Sequence, residues 1–247
     1  MNLTIGITTF SKRFDLLSKL ISQIRDINKT DKIIIVINGE KDGIFNENYR
    51  KNILNLCLKY ENIYPIFFIE MRGLSKMWNT LITTSVDDNI LILNDDLEIN
   101  NNLIFKNINS HIISKDFNGF TRINNSFSHF IVNKITIDEL GYFDERLLGF
   151  GEEDGDIYYR VIKNNLKITD IHINGFINLV SNIRHDHVIG GIGKYSKFNR
   201  HYIYNQKYLS DYGSPIRGMF DTPMKQMLPD VNCYPLERYF IENKNKV

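Results

Sequence analysis

"KIIIVIN", residues Lys32–Asn38, is an unbroken run of β-branched side chains that ends on a short polar one. A strand with one wet face alternates apolar and polar residues, so an uninterrupted apolar run predicts a strand covered on both faces, as in parallel sheets. Upstream, "LTIGIT" (Leu3–Thr8) reads as a second buried strand, and between the two Phe14, Leu17, Leu20, Ile21, Ile24 and Ile27 recur at helical spacing. Downstream, Ile53, Leu56, Cys57 and Tyr60 mark a helix, "IYPIFFIE" (Ile63–Glu70) a third strand, Leu74, Met77, Trp78, Leu81 and Ile82 another helix, and "NILILN" (Asn89–Asn94) a fourth strand. Repeated βα units of this kind predict an α/β protein with an open, mostly parallel, Rossmann-like sheet and helices on both faces. Ligands of such sheets bind at the carboxyl ends of the strands.

The second half is less regular. Leu103–Ile113 predicts a helix, and "FNGFTRI" (Phe117–Ile123) and "FSHFIVN" (Phe127–Asn133) predict strands. Asn133 is placed to cap a short helix that stops at Gly141, because Asn favours N-caps and Gly the left-handed position after a helix. Ile157, Val161 and Ile162 carry a further helix, and "GFINLVSNIRH" (Gly175–His185) reads as a late strand. From about Asn199 the chain is rich in Tyr and Phe and ends in the polar "ENKNKV", which is expected to fray. No Pro/Gly/Ser-rich linker divides the chain, so a single domain over 1–247 is expected.

Composition narrows the function classes. With 247 residues, 43% of them hydrophobic and 24% charged, the chain can bury the core of one large α/β domain. Its 30 basic residues are scattered and the net charge is +1, which argues against nucleic acid as a partner. No apolar run approaches the roughly 18 residues of a membrane span, and "MNLTIGITTF" lacks the pattern of a signal peptide. The expectation is a cytoplasmic protein with at most peripheral membrane contact. Cys57 and Cys233 form neither a disulfide framework nor a zinc quartet and are expected as unpaired thiols.

Three stretches carry chemistry. At the end of the fourth strand Asn94, Asp95 and Asp96 stand where a parallel sheet binds its ligand, and hard oxygen donors there suit Mg²⁺ or Mn²⁺ holding a diphosphate. In "SNIRHDHVIGG", His185 and His187 follow the late strand, and imidazole suits Mn²⁺ and other transition ions. In "GFGEEDGDIYYR" (Gly149–Arg160), four acids sit among three glycines at the start of a helix. Acids in a first helical turn meet the positive end of the macrodipole, which accounts for one or two of them. Crowded carboxylates also raise one another's pKa, as a base held over a substrate requires. Asp156 is spaced to pair with Arg160 one turn later, an i,i+4 contact worth a few tenths of a kcal/mol, and Gly149, Gly151 and Gly155 to let the backbone bend and approach a ligand.

Taken in order, "ITTFSKR", "VINGE", "RGLSKMWN", "LNDDLEI", "GYFDERLLGFGEEDGDIYYRV" and "IRHDH" resemble the sequence blocks of GT-A-fold glycosyltransferases, especially glycosyltransferase family 2 and the β-1,4-galactosyltransferases. The resemblance covers roughly residues 1 to 195, and the block from Gly141 to Val161 is its most specific part. It implies a nucleotide-sugar-binding half over 1–100, a less regular acceptor and catalytic half over 101–198, and a C-terminal extension over 199–247. Asn94-Asp95-Asp96 would occupy the D-x-D position, with Asp96 as the metal-binding carboxylate and Asp95 near the ribose; the first residue is Asn here, where Asp is commoner. Thr8, Thr9 and Asn38 would line the nucleotide, and Arg72 and Asn79 would stand near its base or diphosphate. Asp154 would match the catalytic base of inverting members, Glu153 the acceptor-binding acid, and Phe150 an aromatic against which the acceptor sugar packs. His185 would match the metal-ligand histidine, with His187 as the fallback.

The implied activity is inverting, metal-dependent transfer of a sugar from a nucleotide diphosphate donor, a UDP-hexose or UDP-N-acetylhexosamine, to a hydroxyl of a glycan or glycolipid acceptor, as in polysaccharide biosynthesis. Mn²⁺ or Mg²⁺ is the implied cofactor. Two other classes compete: a glycoside hydrolase using the same carboxylates as an acid and base pair, and an inactive nucleotide-sugar or glycan binder, favoured only by Asn94. A dinucleotide oxidoreductase is disfavoured because "GITTFS" after the first strand offers one glycine where G-x-G-x-x-G is needed.

Overall fold

The β-branched runs do become the buried centre of a sheet. The computed structural model describes residues 3–40, 43–179 and 192–203, and the described chain divides into two compact units. One unit gathers the residues up to Met71 with Thr80–Lys134 and the segment from Thr169, and the other gathers Arg72–Asn79, Ile135–Ile168 and the C-terminal helix.

In the first unit β1 (Leu3–Thr9), β2 (Lys32–Ile37), β3 (Ile63–Phe67) and β4 (Asn89–Asn94) are mutually parallel, as the apolar runs predict. Two further strands were not foreseen: β5 (Leu97–Ile99) and β8 (Thr169–Ile171), each too short to show a period. With β6 (Phe120–Ile123) and β7 (Ser126–Asn133) the main sheet has seven strands in the order β3-β2-β1-β4-β7-β6-β8. β7 runs antiparallel to both β4 and β6. Pro65 lies in β3, at the edge of this order, where a missing ladder donor is tolerated. Of the late strand, β9 (Phe176–Asn178) is described and pairs antiparallel with β5, and residues 180–185 lie outside the described residues.

The helices follow the same logic. On α1 (Phe14–Ile27), Leu17, Leu20, Ile21 and Ile24 are fully buried against Ile5, Ile7, Ile33 and Ile35 in one continuous core. α2 (Glu47–Leu58) begins earlier than its apolar residues suggest, because Asn46 caps it by accepting the Tyr49 N–H at 3.0 Å. α3 (Leu74–Thr84) and α4 (Ile104–Ile112) match the expected spacing, and Cys57 is a free, half-buried thiol. Cys233 lies outside the described residues.

In the second unit α5 (Lys134–Leu140) ends as predicted at Gly141, whose φ is +90° and whose N–H reaches the Ile137 carbonyl at 2.8 Å. α6 (Glu153–Lys163) follows the acidic turn, and α7 (Ile192–Tyr202) closes the described chain. Leu147, Tyr159, Tyr202 and Ile203 form a small core. The C-terminal extension drawn from Asn199 therefore starts inside a helix, and Asn199 itself is fully buried. Among the described residues no helix is long and apolar enough to cross a membrane.

Candidate functional site

β2 and β3 extend the sheet to one side of β1 while β4 lies on the other, so the carboxyl ends of β1 and β4 border the point where the strand order reverses. Thr8 is opposite Asn94 and Thr9 opposite Ile37 in the ladders. Thr8, Thr9, Asn38, Asp95 and Asp96 are all buried there. The Thr9 hydroxyl donates to Asp95 Oδ2 at 2.7 Å, so the Tyr49 hydroxyl, 3.0 Å from Thr9 Oγ1, is left to donate to it. The Asn38 N–H donates to the Thr9 carbonyl at 2.8 Å, and its side-chain oxygen accepts the Gly39 N–H at 3.0 Å.

Arg13, delivered by a short turn of 3-10 helix over Ser11–Arg13, is the counter-ion of this cluster. Its Nη1 donates to Asp95 Oδ1 and to Asp96 Oδ2, both at 2.8 Å, and its guanidinium lies 4.7 Å from the centre of the Phe10 ring. Sequence reading missed Arg13; the only available signal was a cation a few residues past a strand end. Burial pushes the Asp95 carboxyl up to about 6, against the opposing pull of the Arg13 charge. Two carboxylates share one guanidinium, and Asp96 Oδ1 is buried with no hydrogen-bond partner among the described residues. A buried carboxylate oxygen without a donor is costly, and a hard divalent cation is the partner it suits. The Asp96 carbonyl accepts the Leu179 N–H at 2.9 Å.

The acidic turn belongs to the second unit. Gly149, Gly151 and Glu152 all take left-handed backbone, with φ of +54°, +110° and +77°. A side chain at 149 is excluded twice over, since a Cβ there would also sit 2.7 Å from Tyr195 Cγ. Gly155, by contrast, lies within α6 and makes no bend. Glu153, Asp154 and Asp156 fall in the first turn of α6. Glu153 is buried, its Oε2 accepts the Gly151 N–H at 2.6 Å, and burial, aided by the charges of Asp154 and Glu152, pushes its carboxyl up to about 8. Asp154 is exposed and accepts the Gly155 N–H at 2.8 Å, and Phe150 is half-buried. Asp156 does pair with Arg160, at 3.1 Å, but both are buried and Arg160 also donates to the carbonyls of Leu140, Gly141 and Tyr142. This is an interior brace and not a contact of a few tenths of a kcal/mol; breaking such a pair costs about 3–5 kcal/mol.

No family model and no curated protein sequence matches the chain. Solved structures do. A mannosyltransferase from Pyrobaculum calidifontis, in complex with GDP-Man and Mn²⁺, matches with a TM-score of 0.61 at 10% identity, covering 74% of this chain and 58% of that one. Glucosyl-3-phosphoglycerate synthase from Mycobacterium tuberculosis, with Mn²⁺, UDP and glucosyl-3-phosphoglycerate, matches at 0.61 and 12% identity over 92% of this chain and 91% of that one. GalNAc-T7 with UDP, GalNAc and Mn²⁺ matches at 0.65 and 13% identity over 98% and 56%.

The chain has the GT-A fold.

As a GT-A chain it spans somewhat over half of the mannosyltransferase and of GalNAc-T7. The fold brings Thr8, Thr9, Asn38, Asp95 and Asp96 together in the first unit. It puts Glu153 and Asp154 side by side in the second. Asn79, expected near the nucleotide, has its amide committed to the protein: Nδ2 donates to the Phe143 carbonyl at 2.8 Å and to Glu145 at 2.9 Å, and Oδ1 accepts the Phe143 N–H at 3.0 Å. Arg72 is half-buried. His185 and His187 lie outside the described residues, and among the described residues no group of three or more His, Cys, Asp or Glu is arranged to hold a metal. His111 and His172 have structural partners, Thr121 and Asn174.

Proposed function

We propose that the chain is a nucleotide-sugar glycosyltransferase that moves a hexose or N-acetylhexosamine from a UDP donor to a hydroxyl of a glycan or glycolipid acceptor, with inversion, in the building of a polysaccharide or related glycan. The observation that carries this reading is the buried Asp95–Asp96 pair beyond β4, at the ends of β1 and β4, with Asp96 Oδ1 left without a donor among the described residues. Solved structures of this fold hold UDP or GDP-Man together with Mn²⁺, and two of the three favour UDP.

Asp96 and His185, with His187 as the fallback, would hold Mn²⁺ or Mg²⁺. The bound cation would supply charge stabilisation to the departing nucleotide diphosphate. Thr8, Thr9, Asn38 and Asp95 line the nucleotide, Asp95 at the ribose, with Arg72 toward the base or diphosphate, while the Asn79 amide, spent on Phe143 and Glu145, braces the protein instead. Arg13 keeps the two carboxylates apart and oriented. On the acceptor side, Phe150 packs against the sugar and Glu153 binds one of its hydroxyls. Asp154 takes the proton of the attacking hydroxyl, whose own pKa is far too high for it to ionise unaided. Attack opposite the leaving group inverts the anomeric centre.

The test is Asp154→Asn. Transfer is expected to fall by about two to four orders of magnitude, the contribution of a general base, while nucleotide diphosphate binding stays within about twofold of wild type. Normal turnover in the variant, or a product that retains the donor's anomeric configuration, contradicts the assignment.

A further inference from the structure

Asn199 sits in the last turn of α7, is fully buried, and spends its whole amide on one short turn of backbone. Its Nδ2 donates to the Leu148 carbonyl at 2.9 Å and to the Gly151 carbonyl at 2.7 Å, and its Oδ1 accepts the Leu148 N–H at 2.7 Å. The turn needs such a partner. With Gly149, Gly151 and Glu152 in left-handed backbone, this segment has no regular ladder or helix to satisfy its amides and carbonyls, and unpaired buried groups are expensive.

The rest of α7 grips the same place. Tyr195, one turn earlier, fills the space above Gly149 that a Cβ would need. Arg200 donates to Glu152 Oε1 at 2.8 and 3.1 Å, whereas the Tyr202 hydroxyl donates outside this turn, to Asp144 Oδ2 at 3.2 Å. Gly151 connects the grip to Glu153: its carbonyl accepts from Asn199, and its N–H donates to Glu153 Oε2 at 2.6 Å. Asn199 and Glu153 therefore hold opposite sides of the same glycine, and Asp154 is the next residue along the chain.

We propose that Asn199 is a positioning residue for the acceptor side of the reaction: through Gly151 it fixes the Glu153 carboxyl and the first turn of α6, and thereby selects an acceptor hydroxyl over water. This rests on the glycosyltransferase reading. Its signature is selective. Loss of Asn199 should impair use of the acceptor and leave donor binding, and slow hydrolysis of the donor by water, almost untouched.

The experiment compares wild type, Asn199→Ala, Arg200→Ala and Tyr202→Phe using a UDP-sugar with Mn²⁺, with and without a glycan acceptor, alongside amide hydrogen exchange over residues 147–153. In Asn199→Ala the acceptor KM or the transfer kcat should worsen by about tenfold or more, the equivalent of one or two lost hydrogen bonds. Donor KM and donor hydrolysis should stay within about twofold, and the Gly151 amide should exchange at least about tenfold faster. Tyr202→Phe removes a hydrogen bond from the same helix without touching the turn, and its ratio of transfer to hydrolysis should match wild type. Arg200 is exposed, so Arg200→Ala folds even if Asn199→Ala does not, and it should shift the same ratio in the same direction by a smaller factor.

Equal loss of transfer and hydrolysis in Asn199→Ala, an unchanged Gly151 amide, or identical behaviour of Asn199→Ala and Tyr202→Phe overturns the proposal while wild type still transfers sugar. A wild type that neither binds nor turns over any nucleotide sugar overturns the functional reading itself and, with it, this role for Asn199.

Discussion

Nη1 of Arg13 stands 2.8 Å from Asp95 Oδ1 and equally 2.8 Å from Asp96 Oδ2, so a single nitrogen is the hinge between the two buried carboxylates. Asp95 draws a second hydrogen bond from Thr9, whereas Asp96 Oδ1 draws none among the described residues. The two acids are adjacent in sequence but unequally satisfied, and that inequality supports the proposal of Asp96, and not Asp95, as the ligand of the cation.

Arg13→Leu should destabilise the fold by about 3–5 kcal/mol, because it strands two buried carboxylates without a counter-charge. Asp95→Asn in the same background should restore part of the loss by removing one of those charges, and Mn²⁺ should stabilise Arg13→Leu more than it stabilises wild type. Thermal unfolding of the three proteins, with and without Mn²⁺, checks all three expectations.

His129 is another buried ionisable group that sequence reading passed over. It lies on β7 opposite Leu93, its ring stacks on Phe176 at 4.9 Å, and neither ring nitrogen has a partner among the described residues. Burial pushes its pKa from 6.5 down to about 4. Above pH 6.5 the ring is neutral in both folded and unfolded chains; between 6.5 and 4 only the unfolded chain takes up the proton, so stability falls as the pH is lowered through this window. The loss is at most about 3 kcal/mol. His129→Phe should flatten the stability profile between pH 6.5 and 4, measured by urea unfolding at a series of pH values; an unchanged slope contradicts the assignment.

Glu153 gives the opposite slope. Its carboxyl rises from 4.5 to about 8, chiefly through burial. Below pH 4.5 it is protonated in both states, and as the pH rises from 4.5 toward 8 the unfolded chain ionises while the folded chain resists, so its contribution to stability declines. Glu153→Gln, neutral throughout, should match wild type near pH 4.5 and melt several degrees higher at pH 8. A variant that melts lower than wild type at pH 8 shows that the carboxylate is better solvated than its burial suggests.

The parallel core was legible because burial on both faces forces continuous apolar runs, as in Ile33–Ile37, and because helical spacing is rigid, as in Leu17, Leu20, Ile21 and Ile24. The stop of α5 at Gly141 was legible because a left-handed stop demands glycine. What sequence hid was pairing at long range. Arg13 lies 82 residues from Asp95, Asn199 lies 51 from Leu148, and β5 and β9 are three-residue strands that exist only because they find each other. Glycine was misread in one respect: Gly149 and Gly151 do bend the chain, but Gly155 is simply helical. The acid cluster divides among several tasks. Asp156 braces Arg160 inside the protein, Glu152 pairs with Arg200, and Glu153 and Asp154 are the two to which we propose the chemistry falls.

The most direct measurement is release of UDP from a panel of UDP-sugars by wild type and by Asp96→Asn, with Mn²⁺ and with a chelator. Wild type should release UDP from at least one sugar only when the cation is present, and Asp96→Asn should lose about two or more orders of magnitude of that activity while remaining folded. Release that persists undiminished in the chelator, or in Asp96→Asn, would contradict the account.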